Sequence, residues 1–177
     1  MTAGIEYGKA LFMLTEESGT TEAALSDVEA AGDIFDKNPE YVKLLDTPAV
    51  PKTEKLALAE EAFASFDENV KNLIKILCEK HSVHAFKDVR KSYVLLYNES
   101  RGIEHVEAVT AVRMTEEQVL RLTEKLAAMT GKKIIIKNTV APEILGGVKL
   151  RYSGKQLDGS VKTRLDKFEA SLKNTVI

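Results

Sequence analysis

The spacing of the apolar residues changes near Gly102, and this change limits the folds that the chain can adopt. Before it, apolar residues recur every three or four positions, as along residues 24–35. After it, they alternate with charged residues, as along residues 148–152. A period near 3.6 is typical of amphipathic helices and a period of 2 is typical of half-buried strands. The sequence therefore predicts an α+β protein, with a helical domain at residues 1–102 and a small α/β domain at residues 103–177.

Six helices are predicted in the first domain, which indicates a helical bundle. Asn38-Pro39 begins the third helix, with Asn38 as the N-cap and Pro39 at the first helical position. Two further prolines, Pro48 and Pro51, keep this helix short, because the residue before a proline is pushed out of the helical region. Gly102 ends the sixth helix.

The second domain has the predicted order strand, helix, strand, strand, strand, helix. Residues 106–112 are rich in Val, Thr and Ala, which favours a strand, and residues 115–118 form a capping box that begins a helix. The three isoleucines of residues 134–136 indicate a buried strand. Ser153-Gly154 is a hairpin turn between the last two strands, and Asp158-Gly159-Ser160 begins the last helix.

Charge and composition argue against several classes of protein. The 177 residues carry 25 basic and 27 acidic side chains, a formal charge of −2, whereas a nucleic-acid binder usually has a basic excess. The single cysteine forms no intramolecular disulfide. No secretory signal is recognisable, and no apolar run approaches the roughly 20 residues of a membrane helix. We expect a soluble, cytoplasmic protein that reaches a membrane only through a partner.

One set of residues has the spacing of metal ligands. Cys78, His81 and His84 could supply three ligands to zinc, but a structural site needs a fourth. Cys78 lies in the apolar row of a helix, and both histidines follow the end of that helix. We interpret them as a core thiol and two surface imidazoles, and we expect neither a metal nor another cofactor.

Two glycine-containing segments resemble parts of catalytic sites without their context. Gly146-Gly147 leads into a strand, whereas phosphate-binding glycine loops lead into a helix. Asp158-Gly159-Ser160 lacks the G-x-S-x-G pattern of a nucleophile turn. Both are explained by turns, so the sequence predicts no catalytic residues.

The fifth helix is apolar over an unusually wide arc. Its apolar residues are Val70, Leu73, Ile74, Ile76, Leu77 and Cys78. This arc is wider than one packing seam requires. Two compatible interpretations remain: the helix is buried on several sides, or part of the arc, together with the first helix, forms a groove for an amphipathic helix of a partner.

Several segments, in this order, resemble the ATP synthase delta subunit family, whose mitochondrial members are called oligomycin-sensitivity-conferring proteins. The matching segments are Tyr7 to Phe12, Asp67 to Ile74, Val109 to Ala111, Gly146-Gly147-Val148, and Leu157-Asp158-Gly159-Ser160-Val161. The two glycine-containing segments, at their separation, form the family signature, to which we assign a structural role. The chain departs from the family at Ala141, where an aspartate is common, and in residues 79–82, which lack a common arginine.

The resemblance implies a non-catalytic subunit of a bacterial rotary ATP synthase that translocates protons or sodium ions. Such a subunit links the catalytic head to the peripheral stalk at the cytoplasmic face of the plasma membrane. It implies that the helical domain binds the N-terminal helix of the alpha subunit and that the second domain binds the C-terminal end of the b subunit. The candidate residues for the alpha subunit are Tyr7, Ala10, Leu11, Leu14, Val70, Ile74, Leu77 and Cys78. A nucleic-acid-binding adaptor is the alternative.

Overall fold

The chain folds into two compact units. A computed structural model describes residues 3–144, 146–152 and 155–159. The units are Met1–Asn98 and Glu99–Ile177, so the division follows Asn98, whereas the sequence placed it after Gly102.

The first unit is helical, and the six predicted helices are confirmed. They are α1 (Ala3–Ser18), α2 (Thr21–Lys37), α3 (Pro39–Asp46), α4 (Lys52–Ala62), α5 (Glu68–Glu79) and α6 (Phe86–Ser100). A 3-10 turn, Val83–Ala85, precedes α6, and the last two residues of α6 belong to the second unit.

A capping side chain determines where α5 begins. The Asp67 carboxylate accepts a hydrogen bond from the Asn69 amide at 2.9 Å and begins α5. The predicted cap at Asn38 is wrong in one respect: its side chain makes no bond to α3 and instead donates to the Ile34 carbonyl at 2.8 Å. Asn38 also ends α2, and the unpaired carbonyls there accept its amide hydrogens.

Two glycines let α1 approach α6 closely. A β-carbon on Gly4 would lie 2.6 Å from the carbonyl oxygen of Ala85, and one on Gly8 would lie 2.7 Å from the β-carbon of Ser92. Elsewhere in the core, the Phe35 ring packs against Phe63 and Phe86 with centroid separations of 5.5 and 5.1 Å. Such aromatic contacts stabilise a core beyond the area that they bury.

The second unit is a four-stranded mixed sheet with a helix on one face. Its elements are β1 (Ile103–Thr110), α7 (Glu116–Thr130), β2 (Lys133–Val140), a 3-10 turn (Pro142–Ile144), β3 (Val148–Tyr152) and β4 (Lys155–Asp158). The strand order is β2-β1-β3-β4, and β2 is parallel to β1 while the other pairs are antiparallel. A parallel pair needs a crossover, which α7 supplies.

The predicted strand and helix order of this unit is confirmed as far as the structure describes it. The capping box is present, since Thr115 and Gln118 exchange hydrogen bonds and α7 starts there. Ser153-Gly154 and the last helix lie outside the described residues. The prediction of a fully buried β2 is wrong: Ile134 is buried, but Ile135 is 41% exposed. β2 is an edge strand, and α7 packs against the face that carries Ile134.

Candidate partner-binding surface

Helix α1 carries two apolar rows. The first faces the core and contains Gly4, Gly8, Leu11, Phe12 and Thr15. The second contains Ala3, Tyr7, Ala10 and Leu14, spaced by four, three and four residues. At 100° per residue its centre lies about 120° from the centre of the first row. Ala3 and Ala10 are exposed, Tyr7 is half-buried and Leu14 is 51% exposed. The packing of the domain therefore leaves this row largely accessible to solvent.

The candidate residues on α5 lie inside the domain instead. Val70, Ile74, Leu77 and Cys78 are at most 1% exposed, and Leu11 of α1 is 2% exposed. α5 contacts α1, α2, α4 and the 3-10 turn, so its wide apolar arc is buried on several sides. These five residues lie in the core, so the candidates that the structure leaves exposed or half-buried are Tyr7, Ala10 and Leu14.

One residue that the sequence reasoning left out of the candidate set is exposed on α5. Ile76 is 43% exposed, and Asn72 and Asn69 lie one and two turns before it on the same side of the helix. The exposure of Ile76 could have been predicted from the spacing. Val70, Ile74 and Leu77 are separated by four and three residues and share one face of α5, and Ile76 lies off that face. We define the α1–α5 surface as Tyr7, Ala10, Leu14 and Ile76.

The Cys78 thiol contributes no reactive group. Burial raises the pKa of Cys78 to about 11, and the positive charge of Lys55 only partly opposes this shift. The thiolate is the nucleophile and the metal ligand, so a thiol that stays protonated near neutral pH is inert. Cys78 is therefore a core residue.

The two histidines with metal-ligand spacing have separate partners. His81 Nδ1 lies 3.0 Å from Lys55 Nζ, and His84 Nδ1 lies 2.7 Å from Asp46 Oδ2. Within residues 3–144, 146–152 and 155–159, no three His, Cys, Asp or Glu side chains are grouped to hold a metal ion.

The family-signature residues that the structure describes shape the β3–β4 region. Gly147 has a φ of 82°, a left-handed conformation that favours glycine. The Gly159 amide donates to the Val148 carbonyl at 3.0 Å, and Asp158 pairs with Lys149 at 3.2 Å. Gly146 precedes this turn, and Ser160 lies outside the described residues. These contacts hold the ends of the last two strands.

The second unit has a cleft beside the first turn of α7. Its volume is about 620 Å³, and its lining includes Arg113, Met114, Val119, Leu120 and Asn138. Leu120 and the nearby Val112 are exposed by 58% and 75%. Exposed apolar side chains beside a cleft are typical of a protein-binding site.

The fold defines the class of protein: an α+β protein with a helical unit followed by a small unit built on a four-stranded mixed sheet. The chain belongs to the ATP synthase delta (OSCP) subunit family, whose model matches residues 4–172. It is 34% identical to ATP synthase subunit delta of Clostridioides difficile (strain 630), over 96% of this chain and 95% of that protein. It is 30% identical to the same subunit of Geobacillus sp. (strain WCH70), over 94% of both chains.

The fold is also found in a solved structure. A chain of the Toxoplasma gondii mitochondrial ATP synthase hexamer superimposes with a TM-score of 0.75 at 22% identity, covering 97% of this chain and 98% of that one. Family membership makes the chain a non-catalytic stator subunit of a rotary ATP synthase, and its partners are other subunits of that complex. The comparisons give no support to the nucleic-acid alternative. None of the described helices is both long and apolar enough to span a membrane.

Proposed function

We propose that the helical domain binds the N-terminal helix of the alpha subunit through the α1–α5 surface. We further propose that the second domain binds the C-terminal end of the b subunit, at the cytoplasmic face of the bacterial plasma membrane. The exposed apolar row of α1 is the observation that carries the first proposal.

The spacing of this row suits an amphipathic helix as its partner. Tyr7, Ala10 and Leu14 recur at three and four residues, as do the anchors of a helix that binds in a groove. Ala10 is small and lies between two larger side chains, which lets a partner backbone approach α1 closely. Burying apolar surface stabilises such a complex by about 25 cal/mol per Å² before the costs of association are subtracted.

The cleft beside α7 supports the proposed site for the b subunit. Its exposed apolar residues offer area to bury, and Arg113 at its rim adds a cation that can pair with an acidic residue of the partner. Each domain would then bind a different subunit, and the chain would join them.

A stator connection needs buried area and slow dissociation, because it must resist the torque of the rotor. Affinity differences between related complexes arise mainly from dissociation rates. The inert Cys78 thiol agrees with a role of this kind, which requires no chemistry.

The proposal is tested with Ala10→Asp. This change places a charge on the α1–α5 surface, where partner binding would bury it without a counter-charge at a cost of several kcal/mol. We expect a folded variant whose affinity for a synthetic peptide of the alpha-subunit N-terminus is about a hundredfold lower, measured by calorimetry. The matched control is Ala30→Asp, which makes the same change at an exposed position of α2 and should bind the peptide normally.

One result would contradict the proposal, and another would call for a second variant. A folded Ala10→Asp protein that binds the peptide as well as the control does would move the site away from this face of α1. An unfolded variant would show that Ala10 is needed by the domain core; in that case Leu14→Asp, at a position 51% exposed, repeats the test.

A further inference from the structure

A small cavity lies at the first turn of α4. Its volume is about 110 Å³, and it is lined by Lys52, Lys55, Leu56, Cys78, Glu79 and His81. This exceeds the roughly 30 Å³ that one water molecule occupies in the liquid. It is well below the about 300 Å³ at which pockets for larger ligands begin. Only a compact ligand of a few heavy atoms fits.

The buried basic group at this cavity is Lys55. The residue is 1% exposed, and its ammonium group has three N–H donors. Among the described residues its one hydrogen-bond partner is His81 Nδ1, at 3.0 Å, and no carboxylate lies within ion-pair distance of it. A buried charge that lacks a counter-charge is costly to the fold, so a ligand that supplied a negative charge would be bound favourably.

The end of α4 adds a second attraction for an anion. The 11-residue helix begins after Pro51, and no side chain caps it. The Glu54 and Lys55 amides donate to the Pro51 carbonyl, so the Lys52 and Thr53 amides are the ones left to carry the partial positive charge that suits a helix end to anions. Lys52, the first residue of α4, lines the cavity together with Lys55, so the helix end and the buried ammonium group lie at the same cavity and both favour a negative charge.

His81 completes the cavity wall. Its φ of 51° is uncommon for a residue other than glycine. In the tautomer whose Nδ1 accepts from Lys55, Nε2 carries a proton and is a further donor. The one negatively charged side chain in the lining is Glu79, which would repel an anion; it is partly exposed and is paired with Lys52 at 3.0 Å. Cys78 supplies an uncharged wall.

We infer that this cavity binds a compact oxyanion of the phosphate class, with Lys55 as its principal donor. The ion supplies the counter-charge that the protein does not, and it ties α4 to the end of α5. This site is independent of the proposed contacts with the alpha and b subunits, because none of its residues belongs to the α1–α5 surface or to the cleft beside α7.

Thermal unfolding of the full chain tests the inference. We expect inorganic phosphate to raise the melting temperature saturably, because a ligand that binds only the folded state stabilises it in proportion to the logarithm of its excess over Kd. Chloride at matched ionic strength should not do so. Lys55→Met should abolish the saturable rise, whereas Lys37→Met, at an exposed position in the last turn of α2, should retain it.

Amide NMR of the wild-type chain gives a readout that needs no variant. Phosphate should shift the amide signals of residues 52–56 and 81 along a saturable curve, and chloride should not. Equal responses to phosphate and chloride, or an undiminished phosphate response in Lys55→Met, would overturn the inference and leave only water in the cavity. If Lys55→Met does not fold, the wild-type titration alone decides.

Discussion

Thr15 Oγ1 lies 2.7 Å from the hydroxyl oxygen of Tyr93 and joins α1 to α6 inside the helical domain. Both residues are fully buried. The Tyr93 hydroxyl also donates to the Thr21 carbonyl at 3.1 Å, and Thr15 is within 3.0 Å of the Phe12 carbonyl. Burial raises the pKa of Tyr93, so its hydroxyl stays protonated and remains a donor. The network holds α1 in the orientation that leaves its second apolar row exposed.

Tyr93→Phe and Thr15→Val should therefore destabilise the domain in a coupled way. We expect each change to lower the free energy of unfolding by about 1 kcal/mol, because each removes a partner from a buried hydroxyl. The double variant should lose less than the sum, by about 0.5–1.5 kcal/mol. Urea unfolding of the four proteins measures this coupling, and strictly additive losses would show that the two hydroxyls act independently.

Gly8→Ala should be destabilising, although alanine is normally the better helix former. A β-carbon at this position would lie 2.7 Å from both the Ser92 β-carbon and the Val89 carbonyl oxygen. Overpacking of this kind costs about 1–3 kcal/mol, more than the about 1 kcal/mol gained in helix propensity. The control is Lys9→Ala, on the exposed side of α1, which should change little. Equal thermal stabilities of the two variants would argue against the close approach of α1 and α6.

The buried thiol should make stability fall at alkaline pH. Burial raises the pKa of Cys78 from 9.0 to about 11, so the unfolded chain loses this proton before the folded chain does. The contribution of the protonated Cys78 thiol to the free energy of unfolding is complete below about pH 9. It is lost as the pH rises to about 11, by up to about 3 kcal/mol. Urea unfolding of wild type and Cys78→Ala between pH 8 and 11 isolates it: the wild-type curve should fall more steeply. Parallel curves would contradict the assignment.

Removing metal ions should leave stability unchanged. His81 and His84 are engaged with Lys55 and Asp46, and Cys78 is protonated. We expect the same melting temperature before and after treatment with a chelator. A large decrease on chelation, reversed by zinc, would instead show a metal site that includes Cys78.

A fragment of residues 1–101 should fold by itself. The aromatic cluster of Phe35, Phe63 and Phe86 and the Thr15–Tyr93 bond lie wholly within it. Circular dichroism should show a cooperative, mostly helical melt. A gradual melt would place the domain boundary elsewhere.

Much of the local structure followed from the sequence. The capping box at Thr115, the cap at Asp67 and the period change near Gly102 are short-range features, since each depends on residues that are neighbours in the chain. They predicted six helices and then the order of strands and α7. The family signature, a set of segments in fixed order, was likewise readable before the fold was known.

The tertiary structure decided which apolar residues are buried. Periodicity places Val70 and Ile74 on a helix face, but only the packing of α1, α2 and α4 around α5 shows that this face is enclosed. The same holds for Ala10 and Ile76, which stay exposed because no helix covers them in the described chain. Burial depends on neighbours distant in sequence, as does the meeting of Lys55 with His81. The sequence by itself therefore determined the elements and the family, and long-range packing determined the surfaces.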